Sequence, residues 1–303
     1  MNEIGPATTI AIPMPAPGPG LRPTRTDAAP LPAYESHSSL STYEGCPLRY
    51  AFRYVERLPG EERPGQYAYG SAVHRAFEVY VRERIRARTD GGPAPDADLL
   101  RVVLDEELTG SGLGPDEVAD ARRRAEPALA RFLAMEAERV AEPVAVELGF
   151  GADVVLPDGA GAVRFVGYLD RVDRAPDGST EIVDYKTGRV RDQADVDRDR
   201  QLTAYAYAAA RGALRDPSTG AVLPPASRLG LYFADAGTLV WTTRDARELA
   251  AFEAWLVETV ERIRERDFPA RPERWRCDWC EYGKACAASA APPRPAGASG
   301  GAA

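Results

Sequence analysis

The chain has 303 residues, 44% of them hydrophobic and 28% charged, and a formal net charge of −8. That length buries one sizeable core with room for a small appended module, and the acidic balance argues against a passive nucleic-acid binder, which carries a basic excess. No apolar run approaches the ~20 residues of a membrane span, and prolines break the N-terminal stretch where a secretory signal needs a continuous apolar core; no membrane association is expected, and the expected location is the cytoplasm.

Residues 1–33 are rich in Pro, Ala and Gly and read as a disordered arm, as does the tail over 287–303. A single domain is expected over 34–286, with a helical part at 34–140, a sheet core at 144–243, and a C-terminal helix and cysteine cluster at 245–286. Ser38 to Tyr54 reads as two short helices broken by Pro47. Gln66 to Arg88 is a helix, because Val73, Phe77, Tyr80 and Val81 form an apolar stripe at 3.6 spacing. Two more helices follow at Asp96 to Leu108 and Pro115 to Val140. Pro115 suits a first helical turn, and Pro127 is expected to kink or split the second helix.

Strands are expected at Val144 to Leu156 and Val163 to Arg174. Ala175-Pro-Asp-Gly-Ser179 is a turn, since Pro sets φ and Gly accepts φ > 0. Glu181 to Lys186 then returns antiparallel. A helix over Val196 to Arg211, a hairpin of Leu229 to Ala234 with Leu239 to Thr243, and a long helix from Asp245 to Asp267 complete the series. Arg49, Arg53 and Arg57 recur at helical spacing, and Arg82, Arg84, Arg86 and Arg88 follow; they form either a solvated face or a phosphate track.

The chemistry concentrates in Asp184-Tyr185-Lys186. Lys186 and Lys284 are the only lysines among 38 basic residues. A compact ammonium beside a phosphate is not replaceable by a guanidinium. Residues two apart on a strand share a face, so Asp184 and Lys186 project together, and hairpin pairing brings Asp170 beside Asp184. Converging carboxylates bind Mg²⁺ or Mn²⁺, and the lysine can orient water or neutralise developing charge. Taken alone, Asp-x-Lys on a strand reads as an exposed ion pair. Gly70 and His74 share a helix face, where the missing side chain permits approach to a sheet. Gln201 and Tyr205 also share a face, with Arg198 one turn earlier. Glu147 is a weaker candidate for the acidic site, and His37 carries no specific role.

Cys46 stands far upstream of Cys277, Cys280 and Cys286. Four cysteines are few for a disulfide scaffold. Three clustered and one remote fit a closed four-thiolate site, which zinc or a 4Fe-4S cluster can fill. Trp275, Trp279 and Tyr282 are expected to shield it rather than stack on bases.

Gly167-Tyr-Leu-Asp170-Arg-Val-Asp173, followed by Ile182-Val-Asp184-Tyr-Lys186-Thr-Gly188, resembles the PD-(D/E)XK nucleases of the RecB exonuclease family. Gly70-Ser-Ala-Val-His74 matches that family's upstream Gly-x-x-x-His, and Gln201-Leu-Thr-Ala-Tyr205 its downstream Gln-x-x-x-Tyr. The resemblance runs from Ser38 to Cys286. It implies an α/β fold with a restriction-endonuclease-like central mixed β-sheet flanked by helices, a helical N-terminal part and a C-terminal cluster-binding segment. It implies catalytic Asp170, Asp184 and Lys186, and a Mg²⁺ or Mn²⁺ held by His74, Asp170, Asp184 and the Tyr185 carbonyl. Nucleic acid would meet Gln201, Tyr205, Arg198 and Arg49.

The cysteine layout is similar to the iron–sulfur members, including the AddB nuclease domain and the CRISPR-adaptation nucleases. It implies a 4Fe-4S cluster on Cys46, Cys277, Cys280 and Cys286, with zinc as the alternative. The implied function is a metal-dependent DNA nuclease, a single-strand exonuclease or end-processing enzyme in repair, recombination or CRISPR adaptation. Its substrate would be single-stranded DNA or duplex ends. No Gly-x-x-x-x-Gly-Lys-Ser/Thr loop occurs, so a helicase or adaptation partner is expected to supply any motor. The alternative is an iron–sulfur DNA-binding subunit with little or no nuclease activity.

Overall fold

A six-stranded mixed sheet carries the fold. The computed structural model describes residues 29–61, 65 and 67–290; the expected arm up to residue 28 and the expected tail from residue 291 lie outside them. The described residues form two compact units, one from 33–41 with 63–263, the other from residues up to 32, 42–62 and 264 onward. Among the described residues no helix is long and apolar enough to cross a membrane.

In the first unit, β1 (Tyr34–Ser36) runs into α1 (His37–Gly45) and lies parallel to β3. Three polar-flanked residues gave no strand signal in the sequence. The stripe on α3 (Ala68–Asp90) is buried as its spacing predicts, and Gly91 ends the helix in the left-handed region at φ 70. Asp96 caps α4 (Ala97–Thr109) by accepting from the amides of Asp98 and Leu99. α5 (Pro115–Glu138) runs through Pro127 as one helix, so Pro127 does not split it. Pro127 lies on the exposed side, where a freed carbonyl meets water, while Ala125, Ala128, Leu129 and Phe132 hold the buried side.

β2 (Glu142–Val155) and β3 (Ala162–Arg174) pair antiparallel, and β4 (Thr180–Lys186) returns along β3 through the Pro-Asp-Gly turn, with Gly178 at φ 85. α6 (Gln193–Asp197) and α7 (Arg200–Ala210) replace the single helix expected over Val196 to Arg211. Asp199 causes the break, its carboxylate accepting from Leu202 N as the cap of α7. Arg198 therefore ends α6, exposed and paired with Asp195, and is not part of the Gln201/Tyr205 helix.

β5 (Ala226–Phe233) lies parallel to β4, and β6 (Thr238–Thr242) pairs antiparallel with β5. One sheet face, with Val183, Tyr185 and Tyr232, packs under α3, α4 and α5, where Phe77 and Phe132 stack at 3.9 Å. On the other face Phe165 meets Tyr207 of α7 and Phe252 of α8 (Ala246–Arg264). The result is the α/β architecture, a mixed sheet flanked by helices.

Beneath α5 an ionic network is sealed from water. Arg171 is fully buried and bonds Glu136 and Asp173, while Arg139 bridges Asp173 and Glu181. The arginines of α3 likewise meet carboxylates: Arg82 pairs with Glu78, Arg84 with Glu136, Arg86 with Asp90 and Arg88 with Glu142.

In the second unit, α2 (Pro47–Tyr50) continues into one π turn over Ala51–Val55. Leu48 and Phe52 pack on Tyr282, whose hydroxyl donates to Leu58 O at 3.0 Å. Arg49 and Arg53 both face Glu281, Arg49 at 2.7 Å. Near the C-terminal end stands α9 (Arg274–Asp278).

Candidate active site

Three strands lose regular pairing at one level, and carboxylates fill the gap. The β2–β3 register steps from Val146↔Arg171 to Leu148↔Leu169 and passes over Glu147, whose φ of 48 is left-handed. The β3–β4 ladder reaches Arg171↔Val183 and goes no further toward Asp170 and Asp184. There the Asp170 carboxylate accepts from Tyr185 N at 2.8 Å, a side chain standing in for a ladder bond.

α3 brings His74 to the same place. Gly70 allows the approach: a Cβ there would sit 3.0 Å from Thr187 Oγ1, one residue past Lys186. His74 Nε2 lies 2.6 Å from Asp170 Oδ2, and Nδ1 lies 3.7 Å from Glu147 Oε1. Burial lowers the affinity of His74 for a proton, but the Asp170 hydrogen bond and the surrounding carboxylates outweigh it and leave its pKa raised. Burial, then the charge of Asp170, raises Glu147.

Ligand atoms of His74, Glu147 and Asp170 all lie within 4.8 Å of one another. Asp184 stands just outside that group, engaged from its own side. Lys186 Nζ is 2.5 Å from the buried Asp184 Oδ2 and compensates its charge. Tyr205 Oη donates to Asp184 Oδ1 at 3.2 Å, Gln201 Nε2 donates to Tyr205 Oη at 2.7 Å, and Lys186 Nζ donates to Gln201 Oε1 at 2.9 Å. Gln201 and Tyr205 thus close a ring around the Asp184–Lys186 pair, with Tyr205 buried.

The donor set of carboxylate oxygens and one imidazole suits a hard divalent ion. Glu147, the weaker candidate in the sequence, falls in this group, directly across from Asp170 on the neighbouring strand.

Burial, reinforced by the charge of Asp170 and opposed by Lys186, pushes the Asp184 carboxyl up to about 7 from 3.8. A group raised on folding lends stability that is full below its unfolded pKa and is lost as pH rises through the folded one. Metal-free protein should therefore lose stability through Asp184 between about pH 4 and pH 7. Thermal melts in chelator across that window, wild type against Asp184→Asn, check this. A melting difference that does not change with pH contradicts it.

The cysteines occupy the second unit. Cys46, Cys277, Cys280 and Cys286 line one cavity with Leu48 and Phe52. Arg271 N donates to Cys46 Sγ at 3.5 Å and Tyr282 N to Cys280 Sγ at 3.4 Å. Gly283 is required where the chain doubles back, since a Cβ would meet Cys277 O at 2.2 Å. No three of the sulfurs fall within 4.8 Å of one another. Tetrahedral zinc, with Zn–S of about 2.3 Å, would need them drawn closer. Burial pushes the Cys280 thiol up to about 11 and raises Cys286, so these sulfurs ionise only against a cation. Tyr282 covers the cavity as expected, but Trp275 and Trp279 are 64% and 66% exposed and do not shield it. The short α9 turns both rings outward.

Residues 35–287 match the family model of the PD-(D/E)XK nuclease superfamily. Comparison with curated proteins finds no match. One similar solved structure, titled "Crystal structure of SSO0001", has 12% identity and a TM-score of 0.35, covering 74% of this chain and 96% of that one.

Proposed function

The chain belongs to the PD-(D/E)XK nuclease superfamily, and from that premise we propose a divalent-metal-dependent deoxyribonuclease, a single-strand exonuclease or end-processing enzyme serving repair, recombination or CRISPR adaptation. Membership itself suggests a metal-dependent nuclease with DNA as substrate. One observation supports a divalent-metal centre in this chain: His74 and Asp170 meet at the gap in the sheet where Asp184 and Lys186 project.

His74, Asp170, Asp184 and the Tyr185 carbonyl would hold Mg²⁺ or Mn²⁺, which polarises the phosphate and acidifies water when bound. Lys186 supplies a point charge where negative charge builds on the phosphate. Gln201 fixes that ammonium, and Tyr205 fixes the carboxylate it faces. Asp170 holds the Tyr185 amide and so the start of the turn that carries Lys186.

Labelled single- and double-stranded DNA, incubated with Mg²⁺ or Mn²⁺, tests this. Stepwise release of mononucleotides, abolished by chelator, is expected. DNA bound but never cleaved would instead mark a binding subunit.

The four cysteines are proposed to hold a 4Fe-4S cluster, with zinc as the alternative. The shared cavity and the spread of the sulfurs support the larger group. Anaerobically purified protein should carry about four irons per chain, and Cys46→Ser should lose the iron and the visible absorbance with a lower melting temperature. One zinc per chain and no visible absorbance would contradict the cluster.

A further inference from the structure

The cleft beside the metal group is larger than a phosphate needs. It encloses about 810 Å³ and is lined at one end by His74, Glu147 and Lys186. Ligand sites of ~300–1,000 Å³ hold whole drug-sized molecules, so most of this volume lies beyond the scissile group. Tyr67, Tyr69 and Arg124 line it as well.

Tyr69 and Arg124 are built into place. The Arg124 guanidinium lies 3.8 Å from the Tyr69 ring centroid. Asp235, in the turn between β5 and β6, accepts from Tyr69 Oη, from Arg124 Nη2 at 2.6 Å, and from Gly188 N at 3.0 Å. One carboxylate thus ties the start of α3, the middle of α5 and the turn after Lys186 into a single wall. Arg124 remains 54% exposed, with guanidinium donors on its other nitrogens. Tyr67 is 72% exposed at the mouth of α3. Tyr69 lies five residues before His74 on α3, an axial rise of ~7.5 Å, or about two stacked-nucleotide rises of ~3.4 Å.

We propose that Tyr67, Tyr69 and Arg124 form a subsite for a nucleotide about two steps from the scissile phosphate, the guanidinium taking its phosphodiester and the exposed ring of Tyr67 its base. The subsite rests on the nuclease reading and names where the strand lies. Aromatic stacking is sequence-tolerant, so the substrate class is single-stranded DNA of any sequence. Asp235 is a positioning residue, holding the wall to the Lys186 turn.

Fluorescence anisotropy of a labelled oligothymidylate, with Ca²⁺ replacing Mg²⁺, reads binding apart from cleavage. Arg124→Gln and Tyr67→Ala should each weaken Kd about tenfold. Arg124→Gln should also flatten the dependence of log Kd on log salt by about 0.7, the share of one single-strand phosphate contact. Tyr67→Ala should leave that slope alone, and Arg124→Lys should restore it. Melting curves confirm that each variant folds. Affinity within about twofold of wild type with an unchanged slope overturns the subsite, as does a wild type that does not bind. Cleavage by Asp184→Asn separates the two claims. If that variant cleaves like wild type, the nuclease reading falls and takes the subsite with it. If it is inactive while Arg124→Gln binds normally, the subsite alone falls.

Discussion

Asp184→Asn is expected to lower phosphodiester hydrolysis by at least ~10³-fold, and Lys186→Ala by a comparable factor for a different reason. Asn keeps the shape but removes a buried anion that faces the proposed ion, so the loss should appear first as weaker Mn²⁺ binding. Removing Lys186 takes away a positive charge 2.5 Å from Asp184 Oδ2. Mn²⁺ should then still bind, and the deficit should sit in kcat. Lys186→Arg should not rescue, because a planar guanidinium cannot occupy the compact position between Gln201 Oε1 and the carboxylate. Mn²⁺ titration calorimetry beside single-turnover cleavage separates these effects. Equal cleavage by wild type and Asp184→Asn would remove the assigned role.

Arg171→Met is expected to cost the fold about 3–5 kcal/mol, the usual penalty for stranding a buried charge. The guanidinium is fully buried and bonds both Glu136 and Asp173. Without it those carboxylates keep only Arg84 and Arg139 as partners. Replacing Arg171, Glu136 and Asp173 together by apolar residues should recover much of the loss, since the desolvation of all three ions disappears with them. Arg171 Nη1 also lies 3.4 Å from Tyr185 Oη, behind the strand that presents Asp184 and Lys186. Urea denaturation reads the cost, and a loss under about 1 kcal/mol would contradict a sealed network.

The hairpin that carries Asp170 and Asp184 was legible because two local signals agree there: strand-forming residues on either side, and Pro-Asp-Gly between them. The α3 stripe was legible for the same reason, through its period. Asp199 was also readable in principle, as a cap three residues before Leu202, and it stands in the polar run Asp197 to Gln201 that separates Val196 from Leu202. Pro127 misled because the rule concerns hydrogen bonding, whereas its location on the exposed side of α5 depends on tertiary packing. Arg171 and Glu136 carry no sequence mark of burial; each reads as surface until the partner 35 residues away is seen beside it. The left-handed backbone of Glu147, at a missing pair of the β2–β3 ladder, carries no mark in the sequence. The Asp235 clasp on Tyr69, Arg124 and Gly188 joins segments that nothing local connects.

Anomalous diffraction from crystals soaked in Mn²⁺ tests the central claim most directly. The account predicts an ion coordinated at about 2.1 Å by His74, Asp170, Asp184 and the Tyr185 carbonyl, with Lys186 alongside but not bound to it. Manganese seated elsewhere, or held without Asp184, would contradict it.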